Sequence, residues 1–213
     1  MNRVRRFLIV DDHVVVRQGL KFMLAESYPG AGFGEASDGI EMFKVLRQSD
    51  WDIVILDISL PGRSGLELLR DIKQEYPRLP VLILSAHGED EYAVRVLKAG
   101  AAGYLAKAAA PDELIRAVRK ILGGGKYVGP GLAETLATRL DSDHDKPPHE
   151  LLSDREFQVL CLIASGKSGP EIAASLALNV KTISTFRTRI LAKLGLRNTA
   201  ELTRYAVDHG LTE

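Results

Sequence analysis

The chain is short of thiols, of indole and of long apolar runs, and each shortage narrows what it can be. Cys161 is its one cysteine among 213 residues. That leaves no disulfide framework within the chain and no cysteine set for zinc. The thiol lies in the apolar run VLCLIA, which predicts a buried, inert side chain in a reducing, cytoplasmic setting. No apolar stretch approaches the ~20 residues that cross a bilayer; IVIL (53–56) and VLIL (81–84) are strand-sized. Arg3, Arg5 and Arg6 precede the first apolar run, but that run is short and ends in two acids, unlike a secretory signal. Lysines and arginines number 28 and so do aspartates and glutamates, so net charge alone points to no partner. The five histidines show no metal-ligand spacing.

What is present begins with FLIVDDH, residues 7–13. A strand-like run stops at Asp11 and Asp12, and two carboxylates side by side repel unless something cationic sits with them. From residue 5 to 122 the pattern alternates. Strand-like runs occur at RRFLIV, GFGEA, WDIVIL, PVLILS and AGYLA, with amphipathic stretches around 14–26, 39–48, 65–75, 90–99 and 111–122. Such alternation predicts an α/β fold with a parallel sheet and helices on both faces. GGG at 123–125, the polar run DSDHDK and Pro147-Pro148 mark a linker, with a short helix at 131–140. The organisation expected is a first domain over 1–122, a linker over 123–148 and a second domain over 149–213. The second domain reads as all-helical, with segments near 154–165, 169–176, 180–194 and 199–209.

In open parallel sheets, ligands bind beyond the carboxyl ends of the strands. Four strands here end in polar residues: Asp11-Asp12, Asp57, Ser85 and Lys107. Three carboxylates, a hydroxyl and an ammonium at one rim suit phosphoryl transfer onto a carboxylate. Magnesium takes oxygen ligands and needs only one or two acids, and it would relieve the Asp11–Asp12 repulsion. Asp57 would be the nucleophile. Lys107 and Ser85 would each hold a phosphoryl oxygen.

These residues, with ISLPGRSG after Asp57, Ala86 after Ser85 and GYLA before Lys107, resemble the receiver domain of two-component response regulators. The resemblance implies a flavodoxin-like sheet of order 2-1-3-4-5 and a phosphoryl group delivered to Asp57 by a partner histidine kinase. It implies magnesium held by Asp12, Asp57 and the backbone carbonyl of Ser59, and by Asp11 through water. It makes Ser85 and Tyr104 a switch pair, the hydroxyl moving toward the phosphate and the ring turning inward. Many receivers have proline after the lysine; here the residue is Ala108.

A second cluster lies near the other end. Between Glu171 and Glu201 there is no acid, yet Lys181, Arg187, Arg189, Lys193 and Arg197 all fall there. In VKTISTFRTRILAKL (180–194), Val180, Ile183, Phe186, Ile190, Leu191 and Leu194 form an apolar stripe. Lys181, Ser184, Thr185 and Thr188 form a polar one, after Asn179 as N-cap. A short helix starting at Pro170 precedes it, which reads as helix-turn-helix. The stretch from LSDREF to TAEL resembles the four-helix LuxR-type DNA-binding domain, and the whole chain resembles a NarL/FixJ-type response regulator. The resemblance makes Ser184, Thr185 and Thr188 base-edge readers, and Lys181, Thr182, Arg187, Arg189 and Lys193 phosphate contacts. Phe186 stands where relatives often carry His or Tyr. It further implies double-stranded promoter DNA as partner and a homodimer on two half-sites when phosphorylated. Leu202, Tyr205 and Ala206 offer either a dimer surface or packing inside the domain.

Other functions fit less well. A dinucleotide-binding oxidoreductase would need G-x-G-x-x-G after the first strand, where the chain reads DDHVVVRQG. A haloacid-dehalogenase-type phosphatase, which shares the aspartate nucleophile, would need a second Asp at position 59, which is Ser. Without that general acid an acyl phosphate should persist, as in a switch and not in a turnover enzyme. The alternatives kept open are an interaction module that is never phosphorylated and an aspartate-nucleophile phosphotransferase.

Overall fold

The structure is a computed structural model that describes residues 4–85, 90–109, 111–129, 133 and 147–211, with residues 90–92 as backbone only. It divides into two compact units.

The first unit alternates strand and helix. In chain order it contains β1 (Arg6–Val10), α1 (Val14–Ser27), β2 (Gly32–Ala36), α2 (Gly39–Leu46), β3 (Ile53–Asp57) and α3 (Gly65–Glu75). β4 (Val81–Ser85), α4 (Asp90–Lys98), β5 (Gly103–Ala106) and α5 (Pro111–Leu122) complete it. All strand pairs are parallel, in the order β2-β1-β3-β4-β5. This is the expected order, and each expected strand and helix of this unit is found. Phe7, Ile9, Ile53, Ile55, Leu82 and Leu84 pack with Leu24 of α1 and Leu114, Val118 and Ile121 of α5. The alternate residues Leu8, Val10, Val54, Leu56 and Ile83 are equally buried. Burial on both faces explains why these strands read as continuous apolar runs.

Right-handed crossovers send the β1–β2 connection over one face and the β2–β3, β3–β4 and β4–β5 connections over the other. The direction reverses between β1 and β3, so a crevice opens beyond their carboxyl ends. Residues 126–128, inside the expected linker, run beside β5: Tyr127 N–H donates to Ala102 O at 2.9 Å, and Tyr104 N–H donates to Tyr127 O at 3.2 Å. The helix expected over 131–140 lies outside the described residues except at Ala133, as does Ala86 of the Ser85-Ala86 pair.

The second unit holds a short 3₁₀ turn (Pro148–Leu151), then α6 (Asp154–Ala164), α7 (Gly169–Ser175), α8 (Val180–Leu194) and α9 (Thr199–Asp208). The four helices sit on the four expected segments; the turn, which straddles the expected boundary between linker and second domain, was not foreseen. Ser153 and Glu156 cap the start of α6 reciprocally: each side chain accepts the other's backbone N–H, at 2.8 and 3.3 Å. α6 packs against both α8 and α9. Cys161 on α6 is buried, as expected. Leu202 and Ala206 are fully buried, and Tyr205 is bonded through its hydroxyl to His149. Of the two readings of that face, the structure selects packing inside the domain. Among the described residues no helix is long and apolar enough to cross a membrane.

Candidate functional site

Parallel register carries the expected rim residues to one place. Val10 pairs with Leu56, Asp57 with Leu84 and Ser85 with Ala106, so Asp11, Asp57, Ser85 and Lys107 all emerge at the same edge. Asp11 and Asp57 are each only 1% exposed. The Lys107 ammonium sits between them, 2.6 Å from Asp11 Oδ2 and 2.8 Å from Asp57 Oδ2. That cation answers part of the repulsion posed by adjacent carboxylates. Burial raises the Asp57 carboxyl above the ordinary aspartate range; the charge of Lys107 pulls the other way and offsets only part of it. Burial alone would lower Lys107, but Asp57 and Asp11 outweigh it and hold the ammonium above the usual lysine range.

Local contacts fix the loops around this rim. Ser59 N–H donates to Asp57 Oδ1 at 3.1 Å, which turns the chain immediately after β3. α3 then begins at Gly65, whose N–H donates to Ile58 O at 3.0 Å. A Cβ there would lie 2.6 Å from both Asp57 O and Ile58 Cα, so only glycine permits this approach. Ser64 and Glu67 form a capping box that sets the first turn of α3. Ser85 is fully buried and Tyr104 is 6% exposed, so the expected turn of its ring starts from a position already shielded from solvent. Lys107 N–H donates to Ser85 O at 2.6 Å, binding the ends of β4 and β5 together.

Two contributors escaped the sequence reading. His13 donates its N–H to Asp11 Oδ1 at 2.8 Å, and its ring Nδ1 lies 2.8 Å from Asp12 Oδ1. Asp11, Asp12, His13 and Asp57 each offer a ligand atom, all within 4.8 Å of one another. A metal-competent group therefore includes one of the five histidines; the clue was its place directly after the two acids. Arg17 is the other. Its guanidinium donates to Asp11 O at 2.6 Å and pairs with Glu35 of β2 at 3.3 Å, and Lys21 meets the same Glu35 at 3.1 Å. This clamp fixes the loop that carries the acids.

The second candidate surface is α8. Asn179 accepts the Lys181 N–H at 2.8 Å, and Gly195 ends the helix in the left-handed conformation, φ 68°. Ile183 and Ile190 are buried, while Phe186, Leu191 and Leu194 are half-buried. Val180, expected in that stripe, is 45% exposed. It opens the helix beside Gly169 and has little chain to cover it. Lys181, Ser184, Thr185, Arg187, Thr188 and Arg189 are exposed, and Thr182 is half-buried. Two of the hydroxyls are already engaged: Thr185 donates to Lys181 O and Thr188 to Ser184 O, both at 3.0 Å. The five cations divide. Lys193 lies 2.6 Å from Glu156 Oε2 and also reaches Leu151 O, and Arg197 pairs with Glu201. Lys181, Arg187 and Arg189 have no ion pair among the described residues. Lys193, expected at a phosphate, is engaged within its own domain here: its ammonium holds α8 to the start of α6.

Comparison with known proteins covers both units. Residues 7–119 match the response regulator receiver domain, and residues 150–206 match the bacterial regulatory proteins of the luxR family. The response regulator UvrY of Escherichia coli (strain K12) is 36% identical over 205 residues, 96% of this chain and 94% of UvrY. The response regulator GacA of Pseudomonas aeruginosa is 35% identical over 210 residues, 98% of each chain. A structure of RcsB from Salmonella enterica serovar Typhimurium, bound to promoter rprA in the presence of phosphomimetic BeF3-, superimposes with a TM-score of 0.65. It is 28% identical and covers 94% of this chain and 98% of that one. With both units matched in order and relatives aligned along nearly their full lengths, the chain belongs to the NarL/FixJ-type response regulators, DNA-binding transcription regulators of two-component systems.

Proposed function

We propose that Asp57 is the phosphoacceptor of this regulator and that its phosphorylation changes how α8 engages promoter DNA. A sensor histidine kinase supplies the phosphoryl group: an Asp57 oxygen bonds to phosphorus as the bond from phosphorus to the donor imidazole breaks, and the imidazole leaves with its electron pair. The observation that carries this reading is the setting of Asp57, buried, bonded by the Ser59 N–H and 2.8 Å from the Lys107 ammonium. Lys107 stabilises charge building on the phosphoryl oxygens, and Ser85 hydrogen-bonds one of them. Ser85 and Tyr104 form the switch pair.

The oxygen-rich donor set fits Mg2+, with Asp12, Asp57 and the Ser59 carbonyl as ligands and Asp11 acting through water. When bound, the ion supplies charge neutralisation at the transferring group. Among this chain's own residues, Arg17 keeps the acidic loop in place, and the Asp11–Lys107 pair keeps Asp57 oriented. The chain is a switch and not a turnover enzyme, because Ser59 offers no carboxyl group to protonate a leaving group and then activate water. The reading places it in the cytoplasm with its kinase and DNA.

On the DNA side, Lys181, Thr182, Arg187 and Arg189 meet phosphates. Ser184, Thr185 and Thr188 face base edges. RcsB has been captured as two dimers bound to two parallel DNAs; a homodimer on two half-sites is the matching arrangement here. The reading keeps the domains as 1–122, 123–148 and 149–213, with residues 126–128 of the linker running beside β5.

Incubating the protein with a small-molecule phosphodonor and magnesium, then weighing it intact, tests the reading. One phosphoryl adduct that disappears in Asp57→Asn is expected. No adduct on the wild type, or one that survives Asp57→Asn, overturns it.

A further inference from the structure

At the other end of the receiver sheet the strands begin and the helices finish. Between the start of β1, the turn after α3, the α4–β5 turn and the glycine turn after α5 lies a cleft of about 400 Å3. Arg5, Lys73, Arg78 and Lys126 line it, against one acid, Asp52. Asp52 is already engaged: it accepts the Arg6 N–H at 2.9 Å and pairs with Arg5 at 3.4 Å.

Lys73 is the telling member. Its stem lies along Gly100, where an added Cβ would be 3.4 Å from Lys73 Cγ. Its ammonium donates to Leu79 O at 2.9 Å and has no carboxylate partner among the described residues. Burial, and then the nearby charge of Lys126, hold that ammonium below the usual lysine range. Like charges gathered in a cleft are as unfavourable as the two carboxylates of FLIVDDH, and call for a counter-ion in the same way.

Cations often collect at helix C-termini to satisfy the last carbonyls. That need is met here by main-chain donors. Gly124 N–H donates to Ile121 O at 2.9 Å and Gly125 N–H to Lys120 O at 3.0 Å at the end of α5. Gly100 N–H and Ala101 N–H bond Leu97 O and Val96 O, both at 3.1 Å, at the end of α4. The cations of the cleft exceed what capping requires.

The geometry points to an anion-binding site for a phosphate-bearing small molecule, with its phosphate among Lys73, Arg78 and Lys126 and its body against Ala101, Ile121 and Leu122. Three cations that line one cleft without an ion pair among the described residues match a dianion better than a monoanionic carboxylate, and the volume lies in the range of small-molecule pockets. A concave cleft with an apolar wall suits a compact ligand more than a nucleic-acid backbone. The site lies at the opposite edge of the sheet from Asp57, so its ligand is not the transferred phosphoryl group.

Calorimetric titration of the full chain tests this, in EDTA and at constant ionic strength, with adenosine 5′-monophosphate, inorganic phosphate and adenosine as probes. Saturable one-site binding of the monophosphate and of phosphate, but not of adenosine, is expected. Lys73→Gln and Lys126→Gln should each weaken it about tenfold, the loss of one charged hydrogen bond. Lys126 is exposed, so Lys126→Glu keeps the test valid if Lys73→Gln fails to fold. Three results overturn the site: no saturable heat, equal binding of adenosine, or binding that survives the Lys126 variants. Binding abolished by Arg187→Gln instead would place the anion on the DNA-reading helix and overturn it equally.

Discussion

Lys193 on α8 and Glu156 on α6 form an ion pair of 2.6 Å between residues 37 positions apart, with the glutamate side chain 5% exposed and the lysine 40% exposed. The same carboxylate accepts the Ser153 N–H that starts α6. One contact thus joins a helix start to the end of the DNA-reading helix. Lys193→Ala should destabilise the DNA-binding domain by about 1–2 kcal/mol, because it takes the cation from a buried carboxylate and leaves it only the bonds from Ser153. It should leave the dependence of DNA affinity on salt nearly unchanged. Arg189→Ala should do the reverse, lowering the salt slope by about one phosphate contact with little effect on melting. Melting curves and salt-titrated binding isotherms check both.

The same pair sets a pH limit. Burial by itself would raise the Glu156 carboxyl, but the Lys193 ammonium and the Ser153 N–H and hydroxyl outweigh it and hold it below its ordinary 4.5. The folded domain therefore binds this proton less readily than the unfolded chain does. The stabilisation is fully present above pH 4.5 and is lost as pH falls through the lowered folded value. Denaturant titrations below pH 5 should show Glu156→Gln less stable than wild type near neutrality and the difference closing in acid. A difference that is constant with pH would contradict this.

Gly65 presses the first turn of α3 against the backbone of the phosphoacceptor loop, and a Cβ would collide with Asp57 O and Ile58 Cα. Those atoms are main chain and cannot swing aside. Gly65→Ala should destabilise the receiver by about 1–3 kcal/mol and slow modification by a small phosphodonor, since the loop carrying Asp57 and Ser59 must shift. Stopped-time mass spectra and thermal melts measure the two effects together.

Thr185 donates its hydroxyl proton to Lys181 O, which leaves a methyl group and oxygen lone pairs for the base contact proposed for it. A methyl contact with thymine predicts that Thr185→Val retains sequence preference and that Thr185→Ser loses it at particular positions. Selection from a random DNA pool by the two variants distinguishes them. Preference kept by Ser and lost by Val would assign recognition to the hydroxyl.

Much of this was legible in the chain itself, for identifiable reasons. Strands buried on both faces leave continuous apolar runs, and parallel ones deliver their terminal residues to one edge. Asp11, Asp57, Ser85 and Lys107 could therefore be placed together from position alone. Even GFGEA, the weakest run, forms β2. Tertiary partners were not legible. Nothing near Lys193 in sequence announces Glu156, and nothing near Arg17 announces Glu35, so neither ion pair was expected. Periodicity locates an apolar stripe but not its ends, which is why Val180 was expected inside. A stripe also does not say what it packs against, and Leu202 and Ala206 proved to lie within their own domain.

The account turns on whether the state of Asp57 governs DNA binding. Fluorescence anisotropy with duplex selected by the protein itself, with and without phosphodonor and magnesium, measures this directly. The phosphorylated chain should bind about fivefold to 150-fold more tightly, the usual span of such coupling, and Asp57→Asn should not respond. Equal affinity in both states, or the same gain in Asp57→Asn, would contradict the account.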